Sequence, residues 1–576
     1  MASTETKSAR GPAVTNSVIT VVMVVIVAAV ALTARQPAPP SIAQFAPQAQ
    51  HQIKQAPLQQ TGNVGSAAGL GLLGGLGRPT PAPHTSASPT TPPPLPEVID
   101  VPAVRRCYGD PPRQLSFDSQ SPPCVPYFKG DNGGATYHGV TGSQINVFVT
   151  GNVNNDTLGQ RVSNDLQDFF NRNFEFYGRR LKFTYRDGSA IASNSGNGPN
   201  CDFEYTAARD INKQFKPFAS LDPNANAPGC FLVGMARQKT VAVSEYSYLT
   251  EQEMQHNKPY LYQYPMADDT HLTSIGNMIC ANLAGKTAAF VKDPTLIGKK
   301  RVFGYFSNYG FNAGAPDPTP LKQALATCGE KIAAEGTAGL SGGQGTANAG
   351  AKLEQDTQNG MLAMRSAGVT TVICDCNVLL AATISAASDN QSYHPEWIIN
   401  SNAGADISFY SAKTWGAQQR QSLMGVGTYP TQVPYPYATL NQALASVDPG
   451  FQVSGPYNYF LPLQGIYWEL LAVCSGIQMA GPHLTPATFE SGLQRARFPN
   501  PLTPQLEGAA GFGGSTHSMA KTNDLLFWSD AGVDPYPEGG TGAWCYVDAG
   551  RRFDPMHWPS NLQLFTPRCF STPPTS

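Results

Sequence analysis

Few residues of this chain are spaced for catalysis. Gly339-Leu340-Ser341-Gly342-Gly343 matches GxSxG, the spacing that puts a hydrolase serine on a strained turn between a strand and a helix. It lies in a Gly-rich run, 336–350, and reads as a chance match in a flexible loop. Cys374-Asp375-Cys376 has one residue between its thiols, where zinc sites use two or more and further paired ligands. Burial or a disulfide is therefore the expected role. Gly69-Leu70-Gly71-Leu72-Leu73-Gly74 matches the dinucleotide fingerprint, but no strand precedes it and no acid follows at the required distance. The nine histidines form no HExxH or other paired motif, so neither a metal nor a cofactor is expected. Asn155-Asp156-Thr157 and Asn390-Gln391-Ser392 fit the N-glycosylation pattern, a tripeptide that chance often supplies. More informative are polar and aromatic groups at the exits of predicted strands: Asn152, Asn154, Asn155 and Asp156; Asp187; Tyr246 and Tyr248; Ser307, Asn308 and Tyr309; Asp375 and Asn377; and Asn400, Ser401 and Asn402. Together they provide hydrogen-bonding groups, a few charges and aromatic walls, the needs of a small-molecule cleft. They include no nucleophile–base pair, so binding is expected rather than catalysis.

The elements that must position these groups begin with residues 139–189. Ile145 to Thr150 is a short apolar, β-branched and aromatic run closed by Gly151, which predicts a buried strand. Asp156 is a plausible N-cap for the next element, in which Leu158, Val162, Leu166, Phe169, Phe170 and Phe174 recur on one helix face. Gly178 ends that helix and 181–185 reads as a second strand. Strand, loop, helix, strand is a βαβ unit, the builder of parallel sheets, whose carboxyl-end loops hold ligands.

The alternation continues. Helices are predicted at 203–215 and 271–284, and strands at 230–234 and 260–264. A second series follows with a strand at 301–310, helices at 321–334, 353–368 and 378–388, and strands at 370–374 and 397–399. The two halves join near 293–300. A long apolar helix at 457–480, a helix starting at 484 and a strand pair at 543–548 and 551–553 complete the chain. The expected class is α/β, two doubly wound lobes with a hinge, preceded by an N-terminal membrane helix and a disordered Pro-rich tether.

At 576 residues, more than one core is expected. A net charge of −2, with only 14% charged residues and no extended Lys/Arg block, gives no sign of a nucleic-acid partner, and none is expected. Residues 1–10 read as a cytosolic tail and 11–34 as a membrane anchor or signal segment. Lys7 and Arg10 before that segment place the bulk of the chain outside the cell membrane, on the cell-wall side. Residues 35–104 are a Pro/Gln/Gly-rich linker that cannot bury a core and could extend on the order of 200 Å. A Cys/Pro-rich collar at 105–136 leads into a two-lobed domain, 137–576, with the first lobe mainly 137–295 and the second mainly 300–425. Later segments cross between the lobes. Eleven cysteines suit an exported chain, and an odd count leaves at least one unpaired within it. The expected disulfides are Cys107–Cys124, Cys201–Cys230 and Cys545–Cys569, each closing a short loop and contributing about 3 kcal/mol in the chain-entropy account.

Five stretches carry a resemblance: GVTGSQINVFVTG, FFNRNFEFYGRRLKFTYRDGS, KKRVFGYFSNYG, MRSAGVTTVICDCNVLLAATISAASDNQSYHPEWIINS and LTPATFESGLQ. In this order they resemble the type I periplasmic-binding-protein fold, specifically the branched-chain amino-acid (Leu/Ile/Val) solute-binding proteins of ABC transporters, over about 137–559. The resemblance implies two α/β lobes joined by crossover strands and closing on a small ligand. It implies ligand contacts from Asn152, Asn154, Asn155 and Asp156, from Ser244, Glu245, Tyr246, Ser247 and Tyr248, and from Tyr309 in the Tyr-Gly loop. Amino-acid-binding members use a hydroxyl pair for the carboxylate and an acid for the ammonium; Ser244 and Ser247, with Glu245, are the candidates here. The implied function is a membrane-tethered extracellular protein that delivers a small polar or amphipathic, amino-acid-like metabolite to an ABC permease. The rival expectations are a ligand sensor or scaffold working with a membrane partner, and an exported hydrolase, which lacks a catalytic constellation.

Overall fold

Ile145, Val147 and Val149 of β1 (Gln144–Gly151) face one apolar core and Phe148 faces another. A strand buried on both faces needs helices on both sides, and that is the arrangement throughout the computed structural model. It describes residues 107–151, 156–187, 201–222, 228–245, 249–309, 316–339, 347–400, 405–454, 457–500, 508–536, 541–565 and 569.

The first sheet joins β1 to β2 (Arg180–Asp187), β3 (Ala219–Leu221), β4 (Val241–Ser244) and β5 (Leu261–Gln263), all parallel, in the order β2-β1-β3-β4-β5. Its connecting helices are α1 (Asp156–Asn173), α2 (Asp202–Phe215), α3 (Pro228–Arg237) and α4 (Glu251–His256). The second sheet repeats that order with β6 (Phe303–Tyr309), β7 (Ile332–Gly339), β8 (Thr371–Asp375), β9 (Glu396–Asn400) and β10 (Leu423–Gly427). It then adds the antiparallel strands β11 (Asp524–Val533) and β12 (Thr541–Tyr546). Its helices are α5 (Asp268–Asn282), α6 (Thr319–Ala326), α7 (Ala347–Ser366), α8 (Val378–Asn390), α9 (Ser408–Thr414) and α10 (Ala417–Arg420). Three further helices, α11 (Thr439–Ala445), α12 (Tyr457–Ala480) and α13 (Pro486–Arg495), supply apolar faces to the first lobe's core. This is an α/β fold of two doubly wound lobes, one sheet parallel and one mixed.

The chain crosses between the lobes three times. It leaves β5 and reaches α5 within residues 264–268, and it leaves β10 for α11 after Gly427. The third passage runs beside β5, where Met519 N–H donates to the Gln263 carbonyl at 3.0 Å and Ala520 N–H to that of Tyr264 at 2.8 Å, before entering β11. The collar is part of the first lobe. Leu115 lies in its core, the Tyr467 hydroxyl donates to Asp118 at 2.5 Å and the Tyr264 hydroxyl to Gln120 at 2.6 Å.

Several elements differ from the sequence-based expectations. Residues 230–234 belong to helix α3, with Phe231, Leu232, Val233, Met235 and Ala236 all buried. A short run buried on every side has no periodicity to separate helix from strand. The helix expected over 321–334 stops at Ala326; Gly329 turns at φ +76° and β7 begins at Ile332, so 332–339 is strand rather than helix and loop. β12 pairs with β11, not with 551–553, which is not a strand; Asn523 and Phe553 form only an isolated bridge. The join expected near 293–300 falls earlier: α5 packs in the second lobe, where Leu272, Ile275, Ile279 and Leu283 share a core with Phe303, Leu325 and Ile398.

Disulfides join Cys107 to Cys124, Cys201 to Cys230 and Cys545 to Cys569, and also Cys280 to Cys328 and Cys374 to Cys376. Cys474, buried in α12, is free. No helix among the described residues is long and apolar enough to cross a membrane; the segment 11–34 and the linker 35–104 lie outside them.

Candidate functional site

In a doubly wound sheet the strand ends are where chain direction leaves polar groups unpaired by the ladder, and ligands collect there. At the carboxyl edge of the first sheet, Thr150, the last residue but one of β1, donates its hydroxyl to Asp222 at 2.8 Å and to the Leu221 carbonyl at 3.0 Å, tying β1 to the end of β3. Ser244 ends β4 and Glu245 follows; both are buried. Glu245 is held from two sides. Its N–H donates to Glu469 Oε1 at 2.9 Å and its carbonyl accepts from the Tyr429 hydroxyl at 2.6 Å. Its carboxylate lies against Gly465, one helical turn before Glu469, in space that a Cβ at Gly465 would occupy. Burial, then the negative charges of Glu245 and Asp222, hold the Glu469 carboxyl well above the usual range, against the hydrogen bonds it accepts from the Glu245 and Asp222 amides.

The second sheet has its own acid pair. Asp375 ends β8 and accepts from the Tyr305 hydroxyl at 3.0 Å and from the Asn400 amide; burial pushes it up to about 6. Asp268 opens α5 and stands well above the usual carboxylate range, through burial and then the nearby charges of Asp375 and Asp269. Ser307 and Asn308 are buried near the end of β6, and Asn377 caps α8 by accepting from the Leu380 N–H at 2.9 Å.

The crossings bring the two edges together. The chain leaves the carboxyl end of β5 and within a few residues sets Asp268 beside Asp375; it leaves the carboxyl end of β10 and sets Tyr429 against Glu245. Aromatic rings line this passage. Trp468 stacks on Tyr264 at 4.9 Å and 3°, and meets Tyr429 at 5.5 Å and 33°.

Of the residues expected to contact ligand, Asp156 opens α1, Asp187 ends β2 and Tyr309 ends β6, all at carboxyl edges. Ser244 and Glu245 are in the acid cluster. Asn152, Asn154, Asn155, Tyr246, Ser247 and Tyr248 lie outside the described residues, as do Ser401, Asn402 and Ser341. β7 does precede the GxSxG stretch, but α7 starts only at Ala347, whereas a nucleophile elbow feeds its serine directly into a helix. Glu469, Trp468, Tyr264, Tyr429 and Asp268 were not singled out from sequence. Glu469 had a signal: it is the one charged residue of the 24-residue helix α12, and an acid in an apolar helix is rarely buried without a reason.

No family model matches the sequence, and no curated protein matches it. Solved structures similar to this chain are substrate-binding proteins of ABC transporters. One from Aeropyrum pernix is 12% identical, with 73% of this chain and 97% of that one covered and a TM-score of 0.48. A solute-binding protein from R. palustris, in complex with 4-hydroxybenzoate, is 12% identical over 72% and 97%, with a TM-score of 0.47. A fatty acid ABC transporter substrate-binding protein from Thermomonospora curvata is 13% identical over 72% and 94%, with a TM-score of 0.43. The architecture described above is read from this chain's own strand order and crossings.

Two open cavities lie away from the strand ends. One, about 570 Å³, is between α5 and Arg551, Met556, His557, Trp558 and Pro559; the other, about 400 Å³, is between α2 and α3. No group of three or more His, Cys, Asp or Glu suited to a metal occurs among the described residues.

Proposed function

We propose that this chain is a solute-binding protein that captures a small polar or amphipathic, amino-acid-like metabolite between its lobes and hands it to an ABC importer. The observation that carries the reading is the meeting of two doubly wound carboxyl edges, each with buried polar side chains, across three chain crossings. Three crossings permit rotation of one lobe on the other while preventing separation, the mechanics of hinge closure around a ligand. Residues 11–34 as anchor and 35–104 as tether would hold the binding domain outside the membrane and near a permease. The importer, the tethering and the extracellular placement belong to this proposal.

The test is a thermal-shift screen of the full chain against a broad metabolite panel. A ligand at 100 times its Kd stabilises by about 2.7 kcal/mol, a shift easily read. A panel with no saturable stabilisation by any metabolite would sink the binding function.

A further inference from the structure

Gln114, Asp118, Gln120 and Ser121 are buried polar residues in the short, irregular collar, and each such group costs free energy unless it is hydrogen-bonded. Their partners divide the collar in two. Gln114 donates to the Asn173 carbonyl at 2.6 Å and accepts from Gln478 at 3.2 Å, and the Gln478 amide also donates to the Pro123 carbonyl at 2.9 Å. Asn173 ends α1 and Gln478 lies in α12, so these bonds moor the collar to the first lobe. The disulfide Cys107–Cys124 closes the same stretch of chain into one loop.

Asp118 and Gln120 reach further. The Gln120 N–H donates to Asp118 at 2.8 Å, a tight turn that sets the direction of the Gln120 side chain. That side chain grips the crossings with both ends of its amide. Its Oε1 accepts from the Tyr264 hydroxyl at 2.6 Å, and its Nε2 donates to the Gly508 carbonyl at 3.4 Å. Tyr264 is the first residue of the first crossing, and its carbonyl accepts from Ala520 of the third at 2.8 Å. Gly508 adjoins the third crossing, where the Lys521 N–H donates to the Ala509 carbonyl at 2.9 Å. The Tyr264 ring stacks on Trp468, which also meets Tyr429 of the second crossing, and Tyr467, next to Trp468, donates to Asp118. The contacts close a circuit from Asp118 through Tyr467, Trp468, Tyr264 and Gln120 back to Asp118, and all three crossings meet it.

A hinge turns by changing backbone dihedrals at a few residues of its crossings. Tyr264, at the root of the first crossing, cannot move away without breaking its bond to Gln120 or drawing the collar with it. We infer that the collar is a strap over the hinge, gripping it through Gln120, and so couples the N-terminal end of the domain to the angle between the lobes. The strap favours the lobe angle of this structure over any in which Tyr264 leaves Gln120. By linkage the effect is reciprocal: closure displaces the collar, and a displaced collar changes the closure equilibrium. The inference rests on the proposed hinge closure and names the element that regulates it.

The experiment is pulsed electron spin resonance on the full chain, without ligand, with spin labels on Arg209→Cys in α2 and Glu354→Cys in α7, one exposed position on each lobe. The chain's own cysteines are in disulfides or, for Cys474, buried, so only the added thiols take the label. In this background a single narrow distance distribution is expected. Gln120→Ala and Tyr264→Phe are each expected to broaden it, or to add a population displaced by more than about 2 Å. Tyr264→Phe loses only the hydroxyl and keeps the ring on Trp468, and melting curves report the folding of every variant. Gln114→Ala removes two collar bonds that end on first-lobe helices and is expected to leave the distribution unchanged. An unchanged distribution in either Gln120→Ala or Tyr264→Phe overturns the strap, and so does a Gln114→Ala distribution as broad as theirs. The binding function itself falls only with silence across the whole metabolite panel, so the two failures are distinguishable.

Discussion

Asp118 joins the collar to the first lobe, accepting from the Tyr467 hydroxyl at 2.5 Å and from the Gln120 N–H at 2.8 Å. Burial pushes its carboxyl up to about 6, the Tyr467 and Gln120 hydrogen bonds and the Arg113 charge offsetting only part of the effect. A carboxyl whose folded pKa lies above its unfolded value near 3.8 binds its proton more tightly in the folded chain. Its stabilising contribution is therefore complete below about pH 4 and lost as pH rises through about 6. Asp118→Asn should abolish that loss. In urea melts the stability of the wild type relative to the variant should fall by on the order of 2–3 kcal/mol between pH 4 and pH 7. A difference that stays constant with pH would show that the carboxyl is ionised throughout. Asp375, Asp268 and Glu469 shift in the same direction, so the comparison with the variant, not the wild-type profile alone, isolates Asp118. At this scale the candidate site was only partly legible in sequence. Asp375 and Glu245 could be found because each follows a run that reads as strand or lies in a recognisable segment. Glu469, Trp468 and Tyr264 act through partners more than 150 positions away, and no local spacing encodes such meetings.

Among the elements, the α12–α13 hairpin shows why some of the fold could be read and some could not. Pro486 at N1 and the reciprocal bonds of Thr485 with Thr488, at 3.1 and 2.8 Å, start α13 where Leu484-Thr485-Pro486 signalled a helix. The hairpin closes through glycine. A Cβ on Gly492 would lie 2.5 Å from the backbone carbon and oxygen of Met479, atoms that cannot turn aside as a flexible side chain can. Gly492→Ala should force the helices apart at a cost of about 1–3 kcal/mol, more than the roughly 1 kcal/mol expected for Thr485→Ala. Chemical denaturation of the two variants decides it, and the reverse order would show that the cap, not the close approach, holds the hairpin. Long elements were legible for two reasons: α1 carries one clear apolar face, and α12 is apolar over a length no strand reaches. β3 and β4, three and four residues long and buried on both faces, gave no alternation to count, and α3 was mistaken for a strand for the same reason. β11 escaped notice because its partners, β10 and β12, are set by a crossing that local sequence does not announce.

For the molecule as a whole, what matters is how the crossings are fastened. The Asn523 amide donates to the Gly427 carbonyl at 3.0 Å, joining the third crossing to the second, and Ser274 of α5 donates to Asn523 at 2.7 Å. Asp524 fills the space a Cβ on Gly427 would take and faces Arg552 at 3.4 Å, while Arg552 also donates to the Tyr429 carbonyl. One guanidinium thus holds the second crossing, the third crossing and the chain beyond β12. Both members of the ion pair are almost fully buried, so removing one strands a charge where water cannot reach it. Arg552→Met should cost about 3–5 kcal/mol in a urea melt. The double variant Arg552→Met with Asp524→Asn, which leaves no buried charge behind, should recover a substantial part of that loss, a non-additivity that a double-mutant cycle measures. A single variant costing less than about 1 kcal/mol, or a double variant no better than the single one, would mean that the pair does not fasten the crossings. Because Tyr429 lies between this ion pair and Glu245, the pair also sets the distance from the crossings to the acid-lined edge of the first lobe.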